Sequence, residues 1–129
     1  MKEDFLEDEY SEMWIENGIG FQVYKPNLEI TIDVARKMVE KRISSFNGIS
    51  RPVLVDIRNL ASVDRESMKY FATREAGELI RAGAIYMNNP ITRWFGNIFL
   101  TLDQPITPAR LFTNKAKALN WLEKYKNLN

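Results

Sequence analysis

One run, Pro52 to Ile57 (PVLVDI), constrains the fold more than any other stretch of the chain. Its apolar residues are nearly continuous and do not alternate with polar ones, so neither face of such a strand is suited to water. A strand buried on both faces needs a layer above it and a layer below it. In a chain of 129 residues with 45% hydrophobic content, those layers belong to one core and one domain. The expected fold is therefore α/β, with helices packed on a sheet that is mainly parallel.

The flanking segments fit that frame. Ser11–Glu16 and Ile19–Tyr24 are short runs rich in aromatic and branched residues, separated by Asn17-Gly18, the pair that supplies positive φ in a type I′ hairpin turn. Ala35, Met38, Val39, Ile43 and Phe46 form a helical stripe over 33–46, with Arg36, Lys37, Glu40 and Lys41 turned outward and Asn47-Gly48 as a stop. After the central strand, Asp64 is placed to cap a helix that turns Met68, Phe71, Ala72, Ala76, Leu79 and Ile80 inward until Gly83 ends it, with Thr73 a point of interruption. Ala84–Met87 reads as a strand. Asn89 and Pro90 then suit a helix start. Ala109–Phe112 is the last strand, and Thr113 is placed to cap a final helix with Ala118, Leu119, Trp121, Leu122 and Tyr125 inward. The order is a β-hairpin followed by βα units, with the first strand of the hairpin at a sheet edge.

Composition closes off several chemistries. Histidine and cysteine are both absent, which removes imidazole acid–base work, thiol nucleophiles, disulfides and the usual zinc sites. The six glycines have neither Walker nor dinucleotide spacing, and there is no Gly-x-Ser-x-Gly elbow. No cofactor, no metal and no catalytic residue is expected. Asp64 and Glu66, two acids at a helix start, suit the cap and the helix dipole. The basic residues are spread over several elements without interleaved aromatics, so nucleic acid is not an expected partner.

The formal charge of +1 hides a division: seven carboxylates face one lysine in the first 16 residues, and the remainder carries seventeen bases against ten acids. Residues 1–9 are thus expected as a solvated acidic segment ahead of a domain over 10–127, or as a strap lying on its basic face. MKEDFLEDEY has no apolar run of the kind a signal peptide needs. Ala82–Leu102 is weakly charged, but Asn88, Asn89, Pro90, Thr92, Arg93 and Asn97 interrupt it, so no transmembrane segment is expected. The expected location is the cytoplasm.

Ligands of open α/β sheets gather at the carboxyl edge of the strands, where the strand order switches. That edge would bring together Asp56, Arg58 and Asn59, then Asn88, then Thr113, near the helix start at Asp64, Arg65 and Ser67. Arg58 suits bidentate capture of a carboxylate or phosphate; equally, a pair with Asp56 or Asp64 would simply order its loop. The helix from Pro90 supplies a second candidate. Its apolar face carries Trp94, Phe95, Ile98 and Phe99, which serve either as core or as a patch for a partner, a second copy or a lipid tail.

Four blocks taken together, the hairpin WIENGI, the strand PVLVDIR, the segment AGAIYMNNPITRWFGNIFL and the ending RLFTNKAKALNWL, resemble a family of small, mostly uncharacterised bacterial proteins with the STAS-like, or SpoIIAA-like, fold. That fold is shared with sulphate-transporter cytoplasmic domains and anti-sigma-factor antagonists, and the resemblance runs from about Tyr10 to Tyr125. In the antagonists a serine or threonine at the start of the helix after the central strand is phosphorylated and controls binding to a kinase. The matching stretch here is Ser62 to Met68, in which Asp64 fits the aspartate of the antagonist pattern and Arg65 and Glu66 stand where it has serines.

The expected function is a non-enzymatic regulatory module that binds a protein through the Arg58-to-Ser67 region, with a homodimer through the Trp94 helix as a further contact. The alternative is a carrier for a small anion or lipid. It would use Arg58, Asn88 and Thr113 at the head group and Trp94, Phe95 and Phe99 along the apolar part.

Overall fold

The computed structural model describes residues 1–88 and 107–126. Glu3–Glu7 forms strand β1, and Ser11–Glu16 and Ile19–Tyr24 form β2 and β3. Asn17 and Gly18 take φ of 54° and 79°, the left-handed pair of a type I′ turn. The hairpin register sets Trp14 opposite Phe21, and their rings stack at 5.2 Å. Glu29–Ile30 (β4) precedes helix α1 (Ile32–Ser45), which stops before Asn47 and Gly48, both at positive φ. Arg51–Asp56 is β5, Ser62–Val63 is β6, and Arg65–Phe71 is α2. Ile80–Tyr86 (β7), Ala109–Phe112 (β8) and Lys115–Glu123 (α3) complete the described elements.

The main sheet has the order β1-β2-β3-β5-β7-β8, antiparallel as far as β3 and parallel from there to β8. A second, two-stranded sheet pairs β4 with β6 and so ties the entry of α1 to the entry of α2. Strands alternate their side chains between two faces, and both faces of the large sheet are covered. Tyr24, Ile57, Ile85 and Met87 pack on one side with Ala35 and Met38 of α1 and Met68 of α2. Trp14, Phe21, Leu54, Ala82 and Ala84 pack on the other with Ala118 and Leu122 of α3. This is the two-faced burial that the PVLVDI run requires.

Three expectations are corrected, and of the two readings of the acidic segment the ion pairs favour the strap. The first strand of the hairpin is not an edge, because β1 pairs outside it. The acidic segment is solvent-exposed along β1, yet it is anchored: Glu7 pairs with Lys25, and Asp8 reaches Lys41 of α1 at 2.9 Å. The helix after Asp64 ends at Phe71 instead of running to Gly83. There the Thr73 hydroxyl donates to the Tyr70 carbonyl at 2.6 Å and accepts from the Ala76 N–H at 3.2 Å. Such side-chain bonds compete with the helical ladder, and Leu79 at φ 66° turns the chain into β7. Gly83 therefore lies inside a strand. Finally, α3 is capped by Asn114, whose side chain accepts from the Lys117 N–H at 2.9 Å, and not by Thr113.

Candidate functional site

At the carboxyl edge of the parallel strands, Asp56 and Tyr86 lie side by side in register, as do Tyr86 and Phe112. Asp56 is 7% exposed and receives Arg58 in a fork: Nε to Oδ1 at 3.0 Å and Nη2 to Oδ2 at 2.9 Å, with the Arg58 backbone N–H on Oδ1 at 3.1 Å. The guanidinium also lies 4.5 Å from the Tyr86 ring centroid, a cation–π distance. The hydrogen bond to Asp56 raises the pKa of Arg58 further. The outcome is an exposed cation fixed from below by a carboxylate and from the side by a ring. The Asp56 pairing expected from sequence is present; Tyr86 was not expected and is supplied by the strand register.

The other candidates are not all drawn to that cation. Asp64 caps α2 by accepting from the Ser67 N–H at 2.8 Å. Arg65 is exposed beside it, and Ser67 is 0% exposed with its hydroxyl buried without a partner. Ser62 is the exposed hydroxyl of that stretch. Asn59 accepts the Asn27 N–H through its carbonyl at 2.9 Å; Asn88 and Thr113 are exposed beyond the ends of β7 and β8. Asn89 and the Pro90 helix with Trp94, Phe95, Ile98 and Phe99 lie outside the described residues. The expected switch in strand order is also absent among the described strands. The sequence of the large sheet runs one way across it, and crossovers of one hand and one direction lay α1 and α2 on the same face.

Beneath that helical face is a feature for which no residue was singled out in advance. A cavity of about 570 Å³ lies between α1, the sheet and the turn that follows α2. Met38, Val39, Val55, Ile57, Ile80 and Ile85 give it aliphatic walls, while Thr73, Arg74, Glu75 and Glu78 are lining residues that reach solvent. Arg42 of α1 enters it from the helix side, only 6% exposed. Its Nη2 donates to the Ala76 and Glu78 carbonyls, the latter at 3.4 Å, and its Nε is buried with no hydrogen-bond partner. No carboxylate forms an ion pair with it among the described residues. Burial in this surrounding pulls the guanidinium pKa down to about 10 and pushes the neighbouring Tyr24 phenol up to about 12. A sequence signal for Arg42 exists. Ala35, Met38, Val39 and Phe46 define the inward stripe, and position 42 falls on that stripe three residues after Val39 and four before Phe46.

Among the described residues, no cluster of three acids converges to hold a metal ion, and no helix is long and apolar enough to cross a membrane. No curated protein matches the chain. Among solved structures, an uncharacterised DUF3478-family protein with a SpoIIAA-like fold from Shewanella loihica PV-4 is similar, at 17% identity and TM-score 0.60 over 91% of this chain and 98% of its own. An anti-sigma factor antagonist from Mycobacterium paratuberculosis is similar at 18% identity and TM-score 0.59, over 88% of this chain and 92% of its own. Both likenesses bear out the STAS-like α/β fold that the sequence blocks suggested. Residues 13–126 match the model of a family described as a domain of unknown function, DUF7793, and the chain belongs to that family.

Proposed function

We propose that the protein is a non-enzymatic regulatory module that docks a protein partner at the strand rim around Arg58. The observation that carries this is the fixed, exposed guanidinium on Asp56 and Tyr86. An arginine held in place before binding loses little side-chain entropy on contact, and rigid arginines are frequent anchors of protein interfaces. A solved neighbour in fold is an anti-sigma factor antagonist, a precedent for a protein partner on this architecture. Arg65, exposed at the start of α2, adds a second guanidinium to the same end of the sheet, flanked by the exposed acids Asp64 and Glu66, so the matching partner surface is of mixed charge.

Affinity capture from the native host with wild type and Arg58→Ala, read by quantitative mass spectrometry, tests the docking site. A partner recovered by wild type and reduced at least about tenfold by the variant supports it; equal recovery by both sinks it. Phosphate on Ser67 is not part of this proposal, because that hydroxyl has no exposed surface. A carrier role is favoured by a separate observation, the cavity under α1. Its head-group contact would then be Arg42, with Arg58, Asn88 and Thr113 taking no part.

A further inference from the structure

Strand β1 is held to the sheet unevenly. All of its residues are solvent-exposed, the apolar Phe5 and Leu6 included. Its pairing with β2 shifts register between Glu3 and Leu6, and Asp4 takes φ of 52°, a left-handed conformation uncommon outside glycine. Glu7 sits directly opposite Glu12, a like-charge pair that weakens a ladder. The surface that receives this strand is better made. Trp14 is buried flat against Phe21 at 5.2 Å and offers its ring to Phe5 at 6.2 Å. Lys25 takes Glu7, and Lys41 takes Asp8 at 2.9 Å. Trp14, Lys25 and Lys41 fall within the family match over 13–126, whereas β1 falls outside it. The receiving surface thus belongs to the family domain and its occupant does not.

We propose that the β2 edge is a strand-docking site kept closed by β1, and that it opens to an extended acidic segment of a partner protein. A bare strand edge presents N–H and C=O groups in a row, a template for another strand. Addition of a peptide strand to such an edge draws affinity from main-chain hydrogen bonds and specificity from side chains. The specificity here is displayed by β1 itself: an aromatic ring for Trp14 and carboxylates for the two ammonium groups. A partner segment with those features and no acid opposite Glu12 makes the same contacts without the like-charge pair. This surface is separate from the rim at Arg58, so neither reading rests on the other.

The probe is a fluorescent peptide of residues 2–10, KEDFLEDEY, titrated by anisotropy into the full chain. Phe5→Gly/Leu6→Gly weakens the resident strand through two exposed side chains and is expected to bind the peptide at least about tenfold more tightly than wild type. The chain has no cysteine, so Leu6→Cys/Met13→Cys supplies an independent lock on a directly opposed pair. Such pairs lie about 4.5–5.5 Å apart at Cα, inside the roughly 4.4–6.8 Å span of a disulfide. The oxidised form is expected to bind at least about tenfold more weakly than the reduced form, and a peptide with lysine in place of its acids is expected to bind neither variant. Absence of saturable binding by the glycine variant, equal binding by the oxidised and reduced forms, or equal binding of the lysine peptide overturns the proposal. A wild-type dimer in sedimentation that the disulfide abolishes overturns the partner assignment and gives the edge to a second copy.

Discussion

Two strand glycines on the same face of the sheet are expected to respond to alanine with opposite signs. Gly20 of β3 and Gly83 of β7 both face the α1 side, by the alternation that turns Tyr24 and Ile85 that way. A Cβ at Gly20 would lie 2.6 Å from Cζ and 3.2 Å from Cε1 of Phe46, whereas carbon contacts settle at about 3.5–4.0 Å. The ring has little room to retreat, since Phe46 is 5% exposed and packs against Ile15 and Val53. Overpacking of this kind costs about 1–3 kcal/mol, and replacing a strand glycine returns about 0.5–1 kcal/mol. Gly20→Ala should therefore lose about 0.5–2 kcal/mol, a fall of very roughly 2–8 °C in melting temperature at this chain length. Gly83→Ala meets nothing among the described residues and should gain about 0.5–1 kcal/mol. Urea unfolding with unchanged m-values measures both. A stabilising Gly20→Ala, or two changes of the same sign, refutes the packing described here. Phe46→Leu should reduce the cost of Gly20→Ala, because the coupling of the two sites is steric.

The remaining expectations concern the rim, the N-terminal strand and pH. Arg58→Ala strands the buried Asp56 carboxylate and should cost about 1–3 kcal/mol in denaturant unfolding; Arg58→Lys should recover only part, since an ammonium cannot reproduce the fork, and an unchanged midpoint for Arg58→Ala contradicts the pairing. Removal of residues 1–7 makes β2 the sheet edge, so its amides opposite β1, around Met13 and Ile15, should lose hydrogen-exchange protection and the chain should self-associate more readily. Burial raises the pKa of Asp8, but the Lys41 ammonium and the Ser11 and Tyr10 N–H groups outweigh it and hold the carboxyl below its ordinary 3.8. A depressed native pKa adds stability that is fully present above 3.8 and is lost as pH falls through the native value. Asp8→Asn should flatten the loss of stability below about pH 4, and an acid limb identical to wild type would show that the clasp contributes nothing.

Local chemistry made much of the fold legible. Asn17-Gly18 fixes a hairpin through backbone conformation alone, and its two strands fall where the residue pattern puts them. PVLVDI announces two-faced burial because its apolar content does not alternate. The errors arose where a local signal met a longer-range one. Met68, Phe71, Ala76 and Ile80 keep an apolar spacing compatible with one helix, yet Thr73 bonds back to Tyr70 and Leu79 turns left-handed, so Ile80 enters the sheet. Glu3–Glu7 has the composition of a solvated tail. It becomes a strand only because β2 offers an unpaired edge and Lys25 and Lys41 offer charge. In the rim, Asp56 and Arg58 are two residues apart and could be paired by inspection; Tyr86 is set beside them by a parallel register that no local pattern encodes.

The cavity shows the limit of periodicity most clearly. An apolar period identifies which residues face inward, and it does so correctly for Ala35, Met38, Val39 and Phe46 of the first helix. It does not say whether the facing surfaces touch, because that depends on how far α1 stands from β7 and on where the chain turns after α2. Two departures from the pattern nevertheless carry the information. A charged residue on the inward stripe must be compensated by something that the stripe does not contain, and a glycine inside a buried strand withholds volume where packing would favour a side chain. Each departure alone has a local explanation: Arg42 clamps the Ala76 and Glu78 carbonyls, and Gly83 merely weakens its strand. Arg42 and Gly83 nevertheless line the same space, an adjacency set by sheet register and by the placement of α1 and encoded in no local period.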